Sequence, residues 1–517
     1  MLGTVDPQGS LLGVEWLLAP LFEGDDDSFY ARLAARGDEV ISDVDFAGCY
    51  AAGRGRPSIP PSLLMRAVLC QIRDDVSDRE AARRAAKDLD WKRALGLQAD
   101  EIPFHHTTLS VFRSRLLVND ADGVVLDRTI QRAVEAGLFG KKVLAIADST
   151  GVMGAAAVAD TYELIRQGIS RLVVASGGPR ALPAPLGKRA RTYAGGKAGI
   201  DWSDAAARRQ ELARLVGMAR ELLTATEGWE QATEAWELLA RIVDQDIDEP
   251  GDGGGPAIRR GVAKDRVVSV VDPDMRHGRK TSSRRIDGFK AHLLTDHDSE
   301  LVLGVSVTPA NAPDGPQAAP LVETARRAGI PVEEMLGDTA YGDGDTRVAV
   351  ENVGAKVSAK AQPPAATGRF PKTQFLIDLE GPSATCPAGH TTTRSGWSQD
   401  QKGRRVIDLT FGAGLCGPCS LREHCTTSAQ GRSITLNFHE ARLQAARTDQ
   451  TRPSTRRKLR RRAVIERKIA EAKRHGMGKA RYRGTRKVLL QQRFLAALLN
   501  LKRLFTLLDL PGGVQVA

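Results

Sequence analysis

The stretch Val143-Leu144-Ala145-Ile146-Ala147-Asp148 decides the fold. An unbroken apolar run that ends on a carboxylate reads as a strand buried on both faces, and such strands sit in sheets covered by helices. Upstream, residues 60–138 read as helical throughout. Ser77 with Glu80 forms a capping box that opens a helix to residue 89, and Thr107 or Thr108 starts another that runs to residue 117. Downstream, helical sequence covers residues 160–175 and 204–246, and the Gly/Pro-rich run 248–261 reads as a linker or loop. Strand candidates follow at 267–271, 286–295 and 301–308, then a helix at 316–328. Residues 332–336 lead into a second carboxylate, Asp338, and 356–360 make a short further strand. Three meandering strands followed by alternating helix and strand predict a mixed α/β sheet flanked by helices. Asp148 and Asp338 both fall at or just beyond the carboxyl ends of strands, where open α/β sheets place their sites.

A third acid stands out by its surroundings. Between Thr451 and Lys487 lie sixteen Lys or Arg residues and only two acids, Glu466 and Glu471. Pro453, Ser454 and Thr455 read as a helix start and Gly476 as its stop. On one continuous helix, Leu459, Ala463, Glu466, Ile469, Ala470 and Lys473 share the buried stripe, while Arg457, Arg461 and Lys468 point the opposite way and Glu471 faces away. A carboxylate turned inward is costly unless it is paired or binds a metal. The bland reading is an i,i+4 ion pair with Arg462.

The chain's net charge of +11 is smaller than the excess of that one basic stretch, because the first 45 residues carry ten acids against two arginines. Localised cationic charge suits a polyanion, since neutralising phosphates releases counterions. No apolar run reaches the length that spans a bilayer, and residues 488–508, interrupted by Gln491, Gln492, Arg493, Asn500, Lys502 and Arg503, read as amphipathic packing with no membrane role. The absence of a signal sequence makes a cytoplasmic protein the expectation. Arg79, Arg83, Arg84, Lys87, Lys92, Arg93, Arg113 and Arg115 on the N-terminal helices fit a DNA-contacting module or, equally, a plain bundle. No phosphate-cradling Gly-Lys-Ser/Thr loop is present, so no nucleotide cofactor is expected.

Asp148, Asp338 and Glu466 together form a donor set for two hard divalent cations, Mg²⁺ or Mn²⁺, which in phosphoryl transfer activate the attacking oxygen and stabilise the leaving one. With these residues in view, the chain resembles the DDE transposases of bacterial insertion sequences. Asp338-Thr339-Ala340-Tyr341 is similar to the family's second-aspartate motif. Arg462, Glu466 and Lys473 reproduce the spacing of its Tyr-Arg-Glu-Lys signature, and Asp148-Ser149-Thr150 looks like the first-aspartate site. Asp287-Gly288-Phe289-Lys290-Ala291-His292, preceded by Asp272-Pro273-Asp274, resembles the strand pair between the aspartates in one branch. That branch also has a helical N-terminal region and a cysteine-bearing insert. Leu459 stands where the signature has Tyr, and Phe289 where Tyr is usual.

The resemblance implies an RNase H-like catalytic domain over residues 139–517, interrupted by a helical insert at 151–262 and a cysteine-rich insert at 361–440, after an all-helical N-terminal domain at 1–138. It implies Asp148, Asp338 and Glu466 as the metal triad, and Arg462 and Lys473 as contacts to DNA phosphate or to the glutamate. The activity implied is cleavage at the ends of a mobile element and transfer of the liberated 3′-hydroxyl into target DNA, by a dimer or larger assembly near the nucleoid. The alternatives are a metal-dependent nuclease and a catalytically silent DNA-binding descendant.

Cys386, Cys416, Cys419 and Cys425 cluster as the thiolates of a structural zinc ribbon do, with His390 or His424 as substitutes; four free thiols remain the alternative. Cys49 and Cys70 are isolated. Asp272 is a candidate to support the site, Asp343 and Asp345 read as turn or cap residues, and His105 and His106 read as structural.

Overall fold

The computed structural model describes residues 1–5, 13–53, 55–193, 201–249, 255–279, 285–363 and 369–509. Its centre is a six-stranded sheet made of β1 (Val143–Met153), β2 (Arg276–Arg279), β3 (Arg285–Asp296), β4 (Val302–Pro309), β5 (Val332–Leu336) and β6 (Lys356–Ser358). β3 runs antiparallel to β1 and β4 antiparallel to β3, so two strands of the expected meander, 286–295 and 301–308, pair as neighbours, while β1 takes the place expected for 267–271. β2 shares the β4 side of β3, pairing with its first four residues. On the other flank β5 and β6 add in parallel, giving the order β4-β3-β1-β5-β6. The helix Ala318–Arg327 links β4 to β5, and Gly344–Asn352 links β5 to β6.

The apolar run that opens β1 is buried as its composition requires: Val143, Ala145, Ile146 and Ala147 are each 3% exposed or less. Burying a side chain of Val or Ile size stabilises by roughly 1.5–3 kcal/mol, enough to keep this strand central. Its apolar cluster reaches from Phe29 through the N-terminal helices and the sheet to Leu507. The N-terminal helices and the central sheet therefore share one core.

The last helix, Thr485–Leu508, lies across β4 and the Val124–Glu135 helix. Its buried polar residues have defined partners. Asn500 Oδ1 accepts from the Val302 N–H at 2.7 Å, and its Nδ2 donates to the Val302 carbonyl and to Thr129 Oγ1. The β3–β4 register shifts beside Val302, and the amide completes the hydrogen bonds there. Among the described residues no helix is long and apolar enough to cross a membrane.

The helical insert has a separate core built from Thr161–Ala175, Ala205–Ala225 and Thr233–Asp246, the last two forming the helical sequence expected over 204–246. Residues 267–271 are not a strand. Val267 and Val268 are buried, but the Val267 backbone bonds to the Gln245 side chain through both its N–H and its carbonyl, and Ala159 donates to the Val268 carbonyl. These partners replace a neighbouring strand. The run 248–261 is partly a hairpin, since Ile247–Asp248 pairs with Ala257–Ile258; residues 250–254 lie outside the described residues.

Ser77 Oγ accepts from the Glu80 N–H, as a cap should, and the helix it opens spans Asp78–Lys87. His105, not a threonine, caps His106–Val118. Of the cations left open between DNA contact and a plain bundle, Lys92, Arg93 and Arg113 are buried, with Lys92 Nζ on the carbonyls of Gln98 and Glu101 and Arg113 on Asp78. Arg79 and Lys87 remain exposed.

A candidate metal and DNA site at the end of the central strands

The last rung of the parallel β1–β5 register is Ile146–Leu336. Asp148 and Asp338 each lie two residues beyond it, so the sheet delivers both carboxylates to the same end. Past Ile146 the β5 side of β1 is open until a lone bridge between Met153 and Lys479. A cavity of about 320 Å³ lies at this end of the sheet, lined by Asp148, Asp338, Arg462, Asp314, Lys290 and neighbours.

Asp148 is largely enclosed, with a side-chain exposure of 19%; Oδ1 accepts from the Ser149 N–H, and Oδ2 lies 3.7 Å from Arg462 Nη2. Burial first of all, then the nearby Asp338 and Asp314, holds its carboxyl above the usual range, against the opposing pull of the Ser149 N–H and Arg462. Asp338 Oδ1 accepts from the Ala340 N–H, an Asx turn that fixes the carboxylate just beyond β5. Tyr341 behind it is fully buried, and its hydroxyl has no partner among the described residues. Under the sheet His292 is buried, its Nε2 against Thr308 Oγ1, and burial pushes its pKa down to about 4. It is a neutral core residue.

The helix expected over 453–476 is two helices, Pro453–Arg460 and Ala463–Arg474, broken at Arg461 and Arg462. The break rotates the second piece. Its buried face is Val464, Ile465, Lys468, Ile469 and Ala472, while Ala463, Glu466, Ala470 and Lys473 are exposed. The inward orientation assigned to Glu466 and the outward one assigned to Lys468 are both corrected. Glu471 also differs: it is half-buried and bonded to Lys468 and Lys502. The Arg462–Glu466 ion pair is not formed; Arg462 turns to Asp148 instead. Glu466 follows Arg462 by four residues, about one helical turn, and it does not line the cavity.

The structure thus brings Asp148, Asp338 and Arg462 together. It places Lys473 on an adjoining cavity with Gly151, Arg285 and Asp287. A third cavity shares Asp338 and Arg462 and is walled by Lys360, Arg456, Arg460 and Leu459, the residue at the signature's tyrosine position. Lys290, Asp314, Lys360, Arg456 and Arg460 were not singled out for roles at the site from sequence. Lys290, an ionisable residue between fully buried Phe289 and Ala291, was the readable signal among them.

Asp272 does not reach the cavity. It and Asp274 accept from the N–H groups of Gly484 and Thr485, clamping the start of the last helix, where Gly484 has a φ of 85° that favours glycine. Asp343 caps Gly344–Asn352, as its turn-like sequence implies. Asp345 pairs with Lys402, Arg404 and His439 and so fastens the cysteine-rich insert to the sheet.

All four cysteines of the insert line one pocket, together with His390. Burial raises the Cys425 thiol, with the other three thiols adding to the effect. Among the described residues no three His, Cys, Asp or Glu side chains stand in a ready-made ligating array, at either the cysteine pocket or the carboxylates. The donor chemistry nonetheless suits metals in both places: grouped thiols for zinc, and two neighbouring carboxylates, one raised chiefly by burial, for a hard divalent ion.

Residues 385–505 match the family described as the transposase DDE domain, and residues 22–115 match the transposase domain family DUF772. No curated protein matches the chain. The first match covers the cysteine segment, the helix carrying Glu466 and the last helix; the second covers the N-terminal helices. Both bear out the resemblance to insertion-sequence DDE transposases, and the mixed sheet is that of the RNase H-like fold. The two domains support a transposase function and, with it, a DNA partner.

Proposed function

We propose that the protein is the transposase of an insertion sequence, cutting DNA at the element's ends and joining the freed 3′-hydroxyl to target DNA. The observation that carries this reading is the placement of Asp148 and Asp338 on one cavity that Arg279, Lys290 and Arg462 also line, two residues past the same strand rung. Asp148 and Asp338, with Glu466 brought in from the adjacent turn, would hold divalent metal, which when bound supplies Lewis-acid activation of water or hydroxyl and stabilises the leaving oxygen. Arg462 orients Asp148 and, with Arg456, Arg460 and Lys360, draws the DNA backbone to the carboxylates. Lys473 extends the contact on the far side of β1. A dimer or larger assembly would hold the two element ends together. The insert's four cysteines hold a structural zinc.

The test uses duplexes carrying the element's ends, with Mg²⁺, in two assays: cutting, and joining of pre-cleaved ends. Joined product supports transposition; hydrolysis alone makes the protein a nuclease, and neither makes it a DNA-binding descendant. Asp148→Asn, Asp338→Asn and Glu466→Gln should each abolish cutting while binding persists. Full cleavage by any of the three removes that residue from the triad.

A further inference from the structure

We propose that Lys290 grips a phosphate of the DNA strand being processed and that Asp314 is the positioning residue that aims it; this rests on the transposase reading above. Lys290 stands opposite Gly151 in the β1–β3 register. A lysine in such a strand would normally reach for solvent, but this ammonium is tethered. It donates to Asp314 Oδ1 at 2.7 Å and to the Ala312 carbonyl at 2.8 Å. The other oxygen, Asp314 Oδ2, accepts from Ser149 Oγ at 2.8 Å, so the pair is fastened to the residue that follows Asp148.

Lys290 and Asp314 both line the cavity that contains Asp148 and Asp338. An ammonium has three N–H donors and two are engaged here, which leaves one for a ligand oxygen. As a stability device the arrangement is poor, because an enclosed ion pair loses in desolvation much of what it gains in attraction. As a substrate device it is well suited. Asp148, Asp314 and Asp338 on the cavity wall repel a phosphodiester, and Lys290, held fixed among them, offsets that repulsion together with Arg279 and Arg462 where the strand must approach. Asp314 has both oxygens engaged by Lys290 and Ser149, so its part is to hold the lysine.

The full-length protein can be tested in two ways. Binding to a short duplex of arbitrary sequence is followed against salt concentration in Ca²⁺, and nicking of supercoiled plasmid carrying the element's ends is followed in Mn²⁺. Lys290→Met should lower the slope of log affinity against log salt by about 0.9, the contribution of one phosphate contact, and slow nicking by roughly tenfold or more. Asp314→Asn should keep the slope, since the charge remains, yet slow nicking comparably, since the charge is no longer aimed. Thermal melts confirm folding, and Lys290→Gln substitutes if the methionine variant melts early. A Lys290 variant with wild-type slope and wild-type nicking overturns the proposal, and an Asp314→Asn protein that nicks normally overturns the positioning role. If the wild-type protein nicks nothing, the transposase reading fails while the salt slope still decides whether Lys290 contacts phosphate.

Discussion

Arg462 Nη2 faces Asp148 Oδ2 at 3.7 Å across the junction between the first strand and the break in the basic helix. The guanidinium lines two cavities that meet at Asp338. Arg462→Ala should therefore cut DNA cleavage by roughly ten- to a hundredfold, as loss of a preorganised charge does. Arg462→Lys should restore only part, because an ammonium lacks the planar fork. Cleavage rates of the two variants at saturating DNA decide the matter; an alanine variant with wild-type rates would leave Arg462 without a role in the reaction.

Asn500 holds both backbone groups of Val302 in a buried setting. Asn500→Leu should cost about 3 kcal/mol, since an N–H and a carbonyl each lose a partner at roughly 1–3 kcal/mol apiece. Urea unfolding measures it, and a leucine variant as stable as wild type would mean that the backbone finds other partners.

Glu471 gives a pH signature. Burial pushes its carboxyl up, but Lys502 and Lys468 outweigh that and hold it below the usual glutamate value of 4.5. A carboxylate depressed in the folded state stabilises above its unfolded pKa, and that contribution disappears as pH falls through the lower folded value. Glu471→Gln should lose about 2 kcal/mol at pH 7, less than for a fully buried pair because the carboxylate is partly solvated. Melting temperatures of variant and wild type should then converge well below pH 4.5; a gap that persists in acid would point to packing.

The Asp272–Asp274 clamp predicts a stability effect without a catalytic one. Asp274→Ala removes the acceptor for the Thr485 N–H at the start of a 24-residue helix and should cost about 1 kcal/mol. Nicking by the folded variant should be unchanged. A large loss of rate at full folding would return this loop to the site.

For the cysteine-rich insert, elemental analysis of reduced protein purified without chelator should find one zinc per chain. Cys416→Ser with Cys419→Ser should lose it and expose the insert to protease. Protein without zinc would leave the four thiols free.

Much of the sheet was legible because its strands are anchored by buried apolar residues; residues 332–336 were bounded without error, although Glu333 and Glu334 lie within them. The mistaken strand at 267–271 has the same composition, and only the Gln245 side chain, distant in sequence, tells it apart. Asp148 and Asp338 were readable from their place after apolar runs. The orientation of Glu466 was not, because a run of arginines without Gly or Pro gives no sign that the helix breaks at Arg461, and a break resets the angular phase of every later residue. The site's Asp314 was hidden in a loop whose position depends on where β4 ends.

The apolar cluster shared by Phe29 and Leu507 has a genetic consequence. Contacts this far apart in the chain form only after a large loop has been closed, so a nascent polypeptide still lacking Leu507 presents a bare flank on its sheet and an unfinished strand at Val302. Frameshifts and nonsense codons late in the gene should thus give products cleared by proteases, and decaying copies of the gene would fall silent altogether instead of leaving half-working fragments to scar the host chromosome.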